Sequence, residues 1–148
     1  NERALSGKPL MAWTIEQACA CSQLDRVVVS TDSPSYEDLA VRHGAEAPFR
    51  RPANLAEDDT PTESVLFHVL DTLEEQGYRP DALVTLQVTS PFRKSGTIAR
   101  AIAQFEDQRA DSLLSAVPVT PLQWRNAEAP QPRYDFRNRP RRRGCSHD

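Results

Sequence analysis

The sequence predicts an α/β protein with a mostly parallel sheet flanked by helices. The predicted elements follow the order helix, strand, helix, loop, helix, strand, helix, strand, which at this spacing is typical of βαβ units. The run at residues 27–29 consists of three valines, as expected for a strand buried on both faces. Two apolar runs break abruptly into polar residues, and the carboxyl ends of strands are where open α/β sheets bind ligands.

The first half of the chain contains two predicted helices on either side of the valine strand. The first helix covers about residues 9–22 and starts at Pro9, because proline suits the first turn of a helix. The second begins at Pro34 with Ser33 as its cap, and Gly44 marks its end.

The second half begins with an irregular, proline-containing loop at residues 47–61, and loops of this length are often functional. A helix capped by Thr60 or Thr62 then runs to about Gln76, with an apolar stripe on one side. The remaining predicted elements are a strand at 82–88, a helix at about 96–108 and a strand at 112–117.

We expect residues 1–120 to form part of one α/β domain and residues 121–148 to form an irregular tail rich in arginine and proline. A doubly wound sheet normally opens with a strand, whereas this sequence reaches a helix within a few residues of Asn1. The fold is therefore expected to be incomplete at both ends, with a strand before Asn1 and further structure after Asp148.

The composition restricts the class of protein. With 148 residues, of which 39% are hydrophobic, the chain can bury one core. A net charge of -3 argues against a large nucleic-acid surface, and no apolar run approaches the ~20 residues that span a bilayer. Cys19, Cys21 and Cys145 are odd in number and lack the paired spacing of a zinc site, which favours a reduced, cytoplasmic compartment.

Two strand ends are candidate binding segments, at residues 30–33 and 87–90. If both strands are parallel, their hydroxyl, amide and carboxylate groups emerge on one rim and suit a ribose, a sugar or a metal-bound phosphate. Capping of helices and turns explains the same side chains equally well. Asp32 is a metal candidate by position only.

Two arginines in the long loop allow two interpretations. Arg50 or Arg51 could hold a phosphate or the edge of a base with its planar guanidinium. Alternatively they pair with the neighbouring acids Glu57, Asp58 and Asp59 on the surface, which spacing alone favours.

Other motifs are weak or absent. The three histidines, His43, His68 and His147, do not form a ligand set, and we expect structural roles for the first two. The sequence has no glycine-rich phosphate loop and no nucleophile elbow. The tripeptide that begins at Gly7 precedes a helix start, where a phosphate could bind, but this signal is weak by itself.

Four segments, taken in order, resemble the cytidylyltransferases that make CMP-sialic acids. They are Asn1-x-Arg3-x-Leu5-x-Gly7-Lys8-Pro9-Leu10, Val27-Val28-Val29-Ser30-Thr31-Asp32-Ser33, Gly44-Ala45-x-x-Pro48-Phe49-x-Arg51-Pro52-x-x-Leu55-Ala56-x-Asp58 and Leu86-Gln87-Val88-Thr89-Ser90-Pro91-Phe92-Arg93. Asp111-Ser112-x-x-Ser115 extends the likeness, which covers about residues 1–118.

The resemblance implies that residues 1–120 are part of a nucleotide-binding domain with a Rossmann-like fold of the nucleotide-diphospho-sugar transferase kind. It also implies a reaction that couples CTP to an acidic nine-carbon sugar, releasing pyrophosphate with Mg²⁺. It implies that Asn1, Arg51 and Thr62 contact the nucleotide. It also implies a sugar-facing wall, formed by Gln87, Thr89, Ser90 and Arg93. The family's dimers make a homodimer one option, and the oligomeric state stays open.

The sequence also departs from the family's pattern. The arginine and the lysine-bearing loop that grip the phosphates would precede Asn1, and Val88 stands where proline is more usual. The metal-binding aspartates are expected outside this chain, so metal ligands and catalytic residues stay unassigned. We therefore expect this chain alone to bind CTP weakly and to turn over little.

The leading alternative from another class is an inactive nucleotide-binding or assembly module. Within the enzyme class, the sugar could instead be legionaminate, pseudaminate or the eight-carbon Kdo.

Overall fold

The structure is a computed structural model that describes residues 2–116, 124–125 and 131–132. The chain divides into two compact units, Asn1–Asp111 and Ser112–Asp148. Asn1 and most of the predicted tail, including Cys145 and His147, lie outside the described residues. The boundary near residue 120 between a domain and an irregular tail, which the sequence suggested, stays a prediction.

The first unit opens with a hairpin that was not predicted. Strand β1, Ala4–Leu5, pairs antiparallel with strand β2, Lys8–Pro9. The two residues between them, Ser6 and Gly7, have φ values of 51° and 77°. Positive φ at both central residues is the requirement of a tight hairpin turn whose twist matches its strands, and glycine adopts this conformation at little cost.

Four helices confirm the helical predictions to within a few residues. They are α1 (Leu10–Cys19), α2 (Pro34–Arg42), α3 (Thr62–Glu75) and α4 (Thr97–Gln108). Helix α1 is shorter than predicted, so Cys21 lies beyond its end. Ser33 does precede α2, but its hydroxyl lies 2.9 Å from that of Ser35 and makes no capping hydrogen bond.

The predicted valine strand takes part in one parallel pairing. Val28 forms a parallel bridge with Glu46, whose N–H donates to Val27 O at 2.7 Å and whose carbonyl accepts from Val29 N at 2.8 Å. Further along, Arg51 N donates to Thr31 O at 2.9 Å. Helix α2 thus connects two extended segments that run side by side in the same direction, as in a βαβ unit.

The other two predicted strands are not paired in the described residues. Apart from two hydrogen bonds that Gln87 O accepts, from Ser90 N and from Arg93 Nη2, the backbone of residues 82–88 has no partner there, and Leu83 and Val84 are exposed. Residues 112–116 also lie outside any strand, and residue 117 is not described. Alternation of apolar residues shows which face a strand could bury but does not supply a pairing partner. A mostly parallel sheet therefore stays a prediction.

The core of the first unit lies between α1 and α2. Its buried residues are Met11, Ile15, Leu39, Ala40 and Ala45, and Val27, Val29, Tyr36 and Val88 pack against them. In the second unit, strand β3 (Trp124–Arg125) pairs antiparallel with strand β4 (Gln131–Pro132). Across the described ranges, every helix is too short or too polar to cross a membrane.

Candidate functional site

Arg51 lies beside the first predicted strand end, the turn at residues 30–33. Its backbone N–H donates to Thr31 O, which places its side chain next to this turn. The guanidinium Nη2 lies 3.8 Å from Asp32 Oδ1, too far for a hydrogen bond. Arg51 Nε is buried and has no hydrogen-bond partner among the described residues, and the same holds for Ser30 Oγ.

Thr31 is the buried member of this turn. Its side-chain hydroxyl accepts a hydrogen bond from Ser33 N at 3.2 Å, so this hydroxyl serves the turn itself. The prediction that these residues cap turns is thus correct for Thr31. It does not account for Ser30 and Arg51, whose buried polar atoms require a partner from elsewhere.

The predicted pairing of the loop arginines with the nearby acids is wrong. Arg50 instead makes a two-pronged ion pair with Glu37 on α2, with Nε–Oε1 and Nη2–Oε2 distances both 2.8 Å. This contact lowers the pKa of Glu37, chiefly through the hydrogen bonds from the guanidinium. The long-range partner on α2 lies 13 positions away, which local spacing could not reveal.

The second strand end is a compact loop at residues 87–93. Its turn is closed by two hydrogen bonds to Gln87 O, one from Ser90 N at 3.1 Å and one from Arg93 Nη2 at 2.8 Å. The side chains of Gln87, Thr89 and Ser90 are exposed and make no hydrogen bond within the described part of the chain. They are free to contact a ligand.

Arg93 differs from its neighbours because its guanidinium is partly buried. It donates to Thr14 Oγ1 at 3.2 Å and, more weakly, to Gln17 Oε1 at 3.4 Å, both on α1. Burial lowers the pKa of Arg93, which nevertheless stays charged at neutral pH. No carboxylate within residues 2–116 forms an ion pair with it.

Thr14 and Gln17 were not identified from the sequence. The sequence did contain a signal, because a threonine and a glutamine three positions apart lie on the same face of a helix.

The two strand ends adjoin the same core, since Val29, just before Ser30, and Val88, between Gln87 and Thr89, both pack against it. Thr62, a predicted nucleotide contact, lies in the first turn of α3, and its exposed side chain makes no hydrogen bond to the described residues. An edge-to-face contact of Phe49 with His68, with ring centroids 5.3 Å apart, joins that helix to the long loop.

The glycine-lysine start of α1 is not a free cationic site. Lys8 forms an ion pair with Glu16 and lies 4.4 Å from the centre of the Trp13 ring. The other oxygen of Glu16 lies 3.0 Å from His43 Nδ1. The hydrogen bond from Lys8, assisted by His43, lowers the pKa of Glu16. The structural role expected for His43 at the end of α2 is therefore confirmed.

The described residues do not fit a metal site. Among them, no three His, Cys, Asp or Glu side chains lie close enough together to hold an ion. Asp32, the positional candidate, faces Arg51 instead. Mg²⁺ stays an expectation from the resemblance.

Comparison with known proteins defines the class. Residues 1–132 match the sequence profile of a family described as cytidylyltransferase. The chain therefore belongs to the cytidylyltransferase family, whose members have a Rossmann-like nucleotidyltransferase fold.

Several bacterial relatives are similar to this chain. A CMP-N,N'-diacetyllegionaminic acid synthase of Legionella pneumophila is 39% identical over 123 residues, which cover 81% of this chain and 51% of the relative. A pseudaminic acid cytidylyltransferase of Campylobacter jejuni is 30% identical over 74% of this chain and 47% of its own length. An N-acylneuraminate cytidylyltransferase of Escherichia coli is 34% identical over 72% of this chain and 24% of its own length. The chain spans about half the length of the first two.

Proposed function

We propose that the protein transfers CMP from CTP to an acidic nonulosonic sugar and releases pyrophosphate. Three buried side-chain polar atoms lack a partner among the described residues, and two of them, Arg51 Nε and Ser30 Oγ, lie at the first strand end and carry the proposal; the third is His68 Nδ1. An unpaired buried donor or acceptor costs about 1–3 kcal/mol, so a protein tolerates it where a ligand completes it. Family membership makes a cytidine nucleotide the ligand of choice.

For CMP transfer, the main task of the protein is to position the two substrates. The oxygen of the sugar's anomeric hydroxyl attacks the α-phosphorus of CTP. The bond from that phosphorus to the bridging oxygen breaks, pyrophosphate leaves, and the hydroxyl proton passes to water. Arg51 and Thr62 would contact the nucleotide, and Asn1, outside the described residues, would join them. Holding two substrates in line converts a bimolecular step into an effectively unimolecular one.

The 87–93 loop would supply the sugar side. The exposed side chains of Gln87, Thr89 and Ser90 offer an amide and two hydroxyls to sugar hydroxyl groups, and Arg93 offers a positive charge to the sugar's carboxylate. The curated relatives act on sugars of three kinds, legionaminic, pseudaminic and N-acylneuraminic, so the acidic nine-carbon class is proposed rather than one member of it.

We extend the proposal to the sheet, the cellular location and the assembly of the protein. A mostly parallel sheet would include residues 27–29 and 82–88, and the parallel pairing of Val28 with Glu46 supports its first part. Cys19 and Cys21 are free thiols, which supports a reducing, cytoplasmic location. A homodimer is a further option for the assembly.

The proposal is tested by titrating the chain with CTP and GTP, followed by the sugars N-acetylneuraminate, legionaminate, pseudaminate and Kdo. We expect weak but selective CTP binding, binding of a nine-carbon acid, and slow pyrophosphate release. Binding of neither nucleotide nor sugar at millimolar concentration would contradict the proposal. Pyrophosphate release as fast as in an intact enzyme would contradict the expectation that this chain alone turns over little.

A further inference from the structure

Two polar residues on α1 stand out because that helix otherwise buries apolar side chains. Thr14 is only 4% exposed. A hydroxyl buried among apolar groups destabilises the fold unless it is hydrogen-bonded, and its partner here is Arg93, 79 positions further along the chain. Gln17 uses both ends of its amide, since Oε1 accepts from Arg93 Nη1 and Nε2 donates to Pro91 O at 2.9 Å.

These hydrogen bonds fix a loop that lacks other polar anchors. In the part of the chain that the structure describes, residues 87–93 pair with no strand, and their long-range hydrogen bonds all go to Thr14 and Gln17. Arg93 passes this restraint on, because its Nη2 donates to Gln87 O at 2.8 Å. The position of the Gln87 backbone, and hence the direction of its exposed amide, depends on α1.

The groups that accept hydrogen bonds from Arg93 are also electrically neutral. Its acceptors are a hydroxyl, an amide oxygen and a backbone carbonyl, none of which carries a formal charge. A guanidinium bound to a carboxylate would be neutralised, whereas this one keeps its full charge while its geometry is fixed. A fixed, unneutralised cation beside an exposed amide suits a ligand that carries both a carboxylate and hydroxyl groups.

We propose that Thr14 and Gln17 are positioning residues that hold Arg93 and the 87–93 loop so that Gln87 and the guanidinium charge face the acidic sugar together. The sugar as occupant rests on the proposed function; the anchoring of the loop does not. These residues act through Arg93 and Gln87 and do not themselves contact the substrate.

The test uses paired substitutions with matched controls. Thr14→Val removes the hydroxyl at nearly constant shape, whereas Thr14→Ser keeps the hydroxyl and removes only the methyl group. Gln17→Met removes both amide hydrogen bonds and keeps a good helix former. Thr72→Val on α3 is the control for threonine, since its hydroxyl bonds only to His68 O within its own helix. Gln104→Met, at an exposed position of α4, is the control for glutamine.

The first readout is hydrogen exchange of the backbone amides of residues 87–93. We expect about tenfold faster exchange in Thr14→Val and Gln17→Met. We expect exchange close to that of the wild type in Thr14→Ser and no change in this loop in either control variant. The second readout is affinity, measured separately for CTP and for N-acetylneuraminate or legionaminate. We expect the sugar affinity to fall about tenfold and the CTP affinity to stay within twofold.

The possible outcomes separate the two proposals. Faster loop exchange in a protein that binds no sugar even as wild type supports the anchoring and contradicts the proposed function. Unchanged loop exchange in Gln17→Met, with normal sugar affinity, overturns the anchoring while the function stands. Equal losses of CTP and sugar affinity, without rescue by Thr14→Ser, indicate general destabilisation and also overturn the positioning role. If Thr14→Val does not fold, Thr14→Ser and Gln17→Met still decide the matter.

Discussion

Replacing Arg51 by lysine should weaken CTP binding strongly while leaving the fold intact. Its buried Nε has no partner in the described residues, and its Nη2 reaches Asp32 only at 3.8 Å, so neither donor is committed to a hydrogen bond with those residues. Lysine keeps the positive charge but cannot present the same fork of donors. The expected loss is therefore that of directed hydrogen bonds, not of charge.

The magnitude follows from the hydrogen bonds that lysine cannot make to the nucleotide. A hydrogen bond to a charged group contributes about 1.5–3 kcal/mol. At about 1.4 kcal/mol per factor of ten, the absence of one such bond raises the Kd for CTP about 10- to 100-fold. Folding stability should change little or rise, because the substitution removes a buried donor that has no partner among the described residues.

Arg50→Lys is the matched control. It lies in the same loop, is exposed, and already has its fork occupied by Glu37. Both variants are titrated with CTP while amide chemical shifts are followed by NMR, which measures weak affinities, and their melting temperatures are compared. Wild-type CTP affinity in Arg51→Lys, or an equal loss in Arg50→Lys, would refute the assignment of Arg51 to the nucleotide.

Three further predictions concern the fold that supports the site. Ile15→Ala in the buried core should lower the free energy of unfolding in urea by about 2–5 kcal/mol, whereas Val41→Ala, at an exposed position, should change it little; equal effects would contradict the placement of the core. Gly44→Ala should lower it by about 1–2 kcal/mol because φ is +93° there, although the added methyl group meets nothing closer than 3.6 Å; an unchanged urea midpoint would contradict this backbone strain. Glu16 has a lowered pKa in the folded state, so its stabilising contribution is present above the ordinary carboxyl pKa of about 4.3 and is lost as the pH falls through its lower folded value. Glu16→Gln should reduce that acid sensitivity by less than about 1 kcal/mol, since the side chain is 40% exposed; identical pH profiles from pH 7 to 2 would contradict it.

The helices could be predicted from sequence because their signals are local. Pro34 at the start of α2 and Gly77 after α3 mark boundaries through backbone conformation alone. The hairpin at the amino end was missed although its signal, the Ser6-Gly7 pair, was present, since strands of two residues carry too little periodicity to be recognised.

Pairing between distant segments was the part that sequence could not supply. The alternation of apolar residues at 82–88 predicted a strand, but a strand also needs a partner backbone, and none of the described residues provides one. For the same reason Arg50 was expected to pair with nearby acids and instead pairs with Glu37. The role of Thr14 became visible only when the fold brought Arg93 to it.

The most direct test of the central claim is a two-stage map of amide chemical shifts, first with CTP and then with an acidic nine-carbon sugar added. We expect CTP to perturb residues 30–33 and Arg51, and the sugar then to perturb residues 87–93. A protein whose spectrum is unchanged by millimolar CTP, or in which both ligands perturb only residues remote from these two strand ends, would contradict the proposed function.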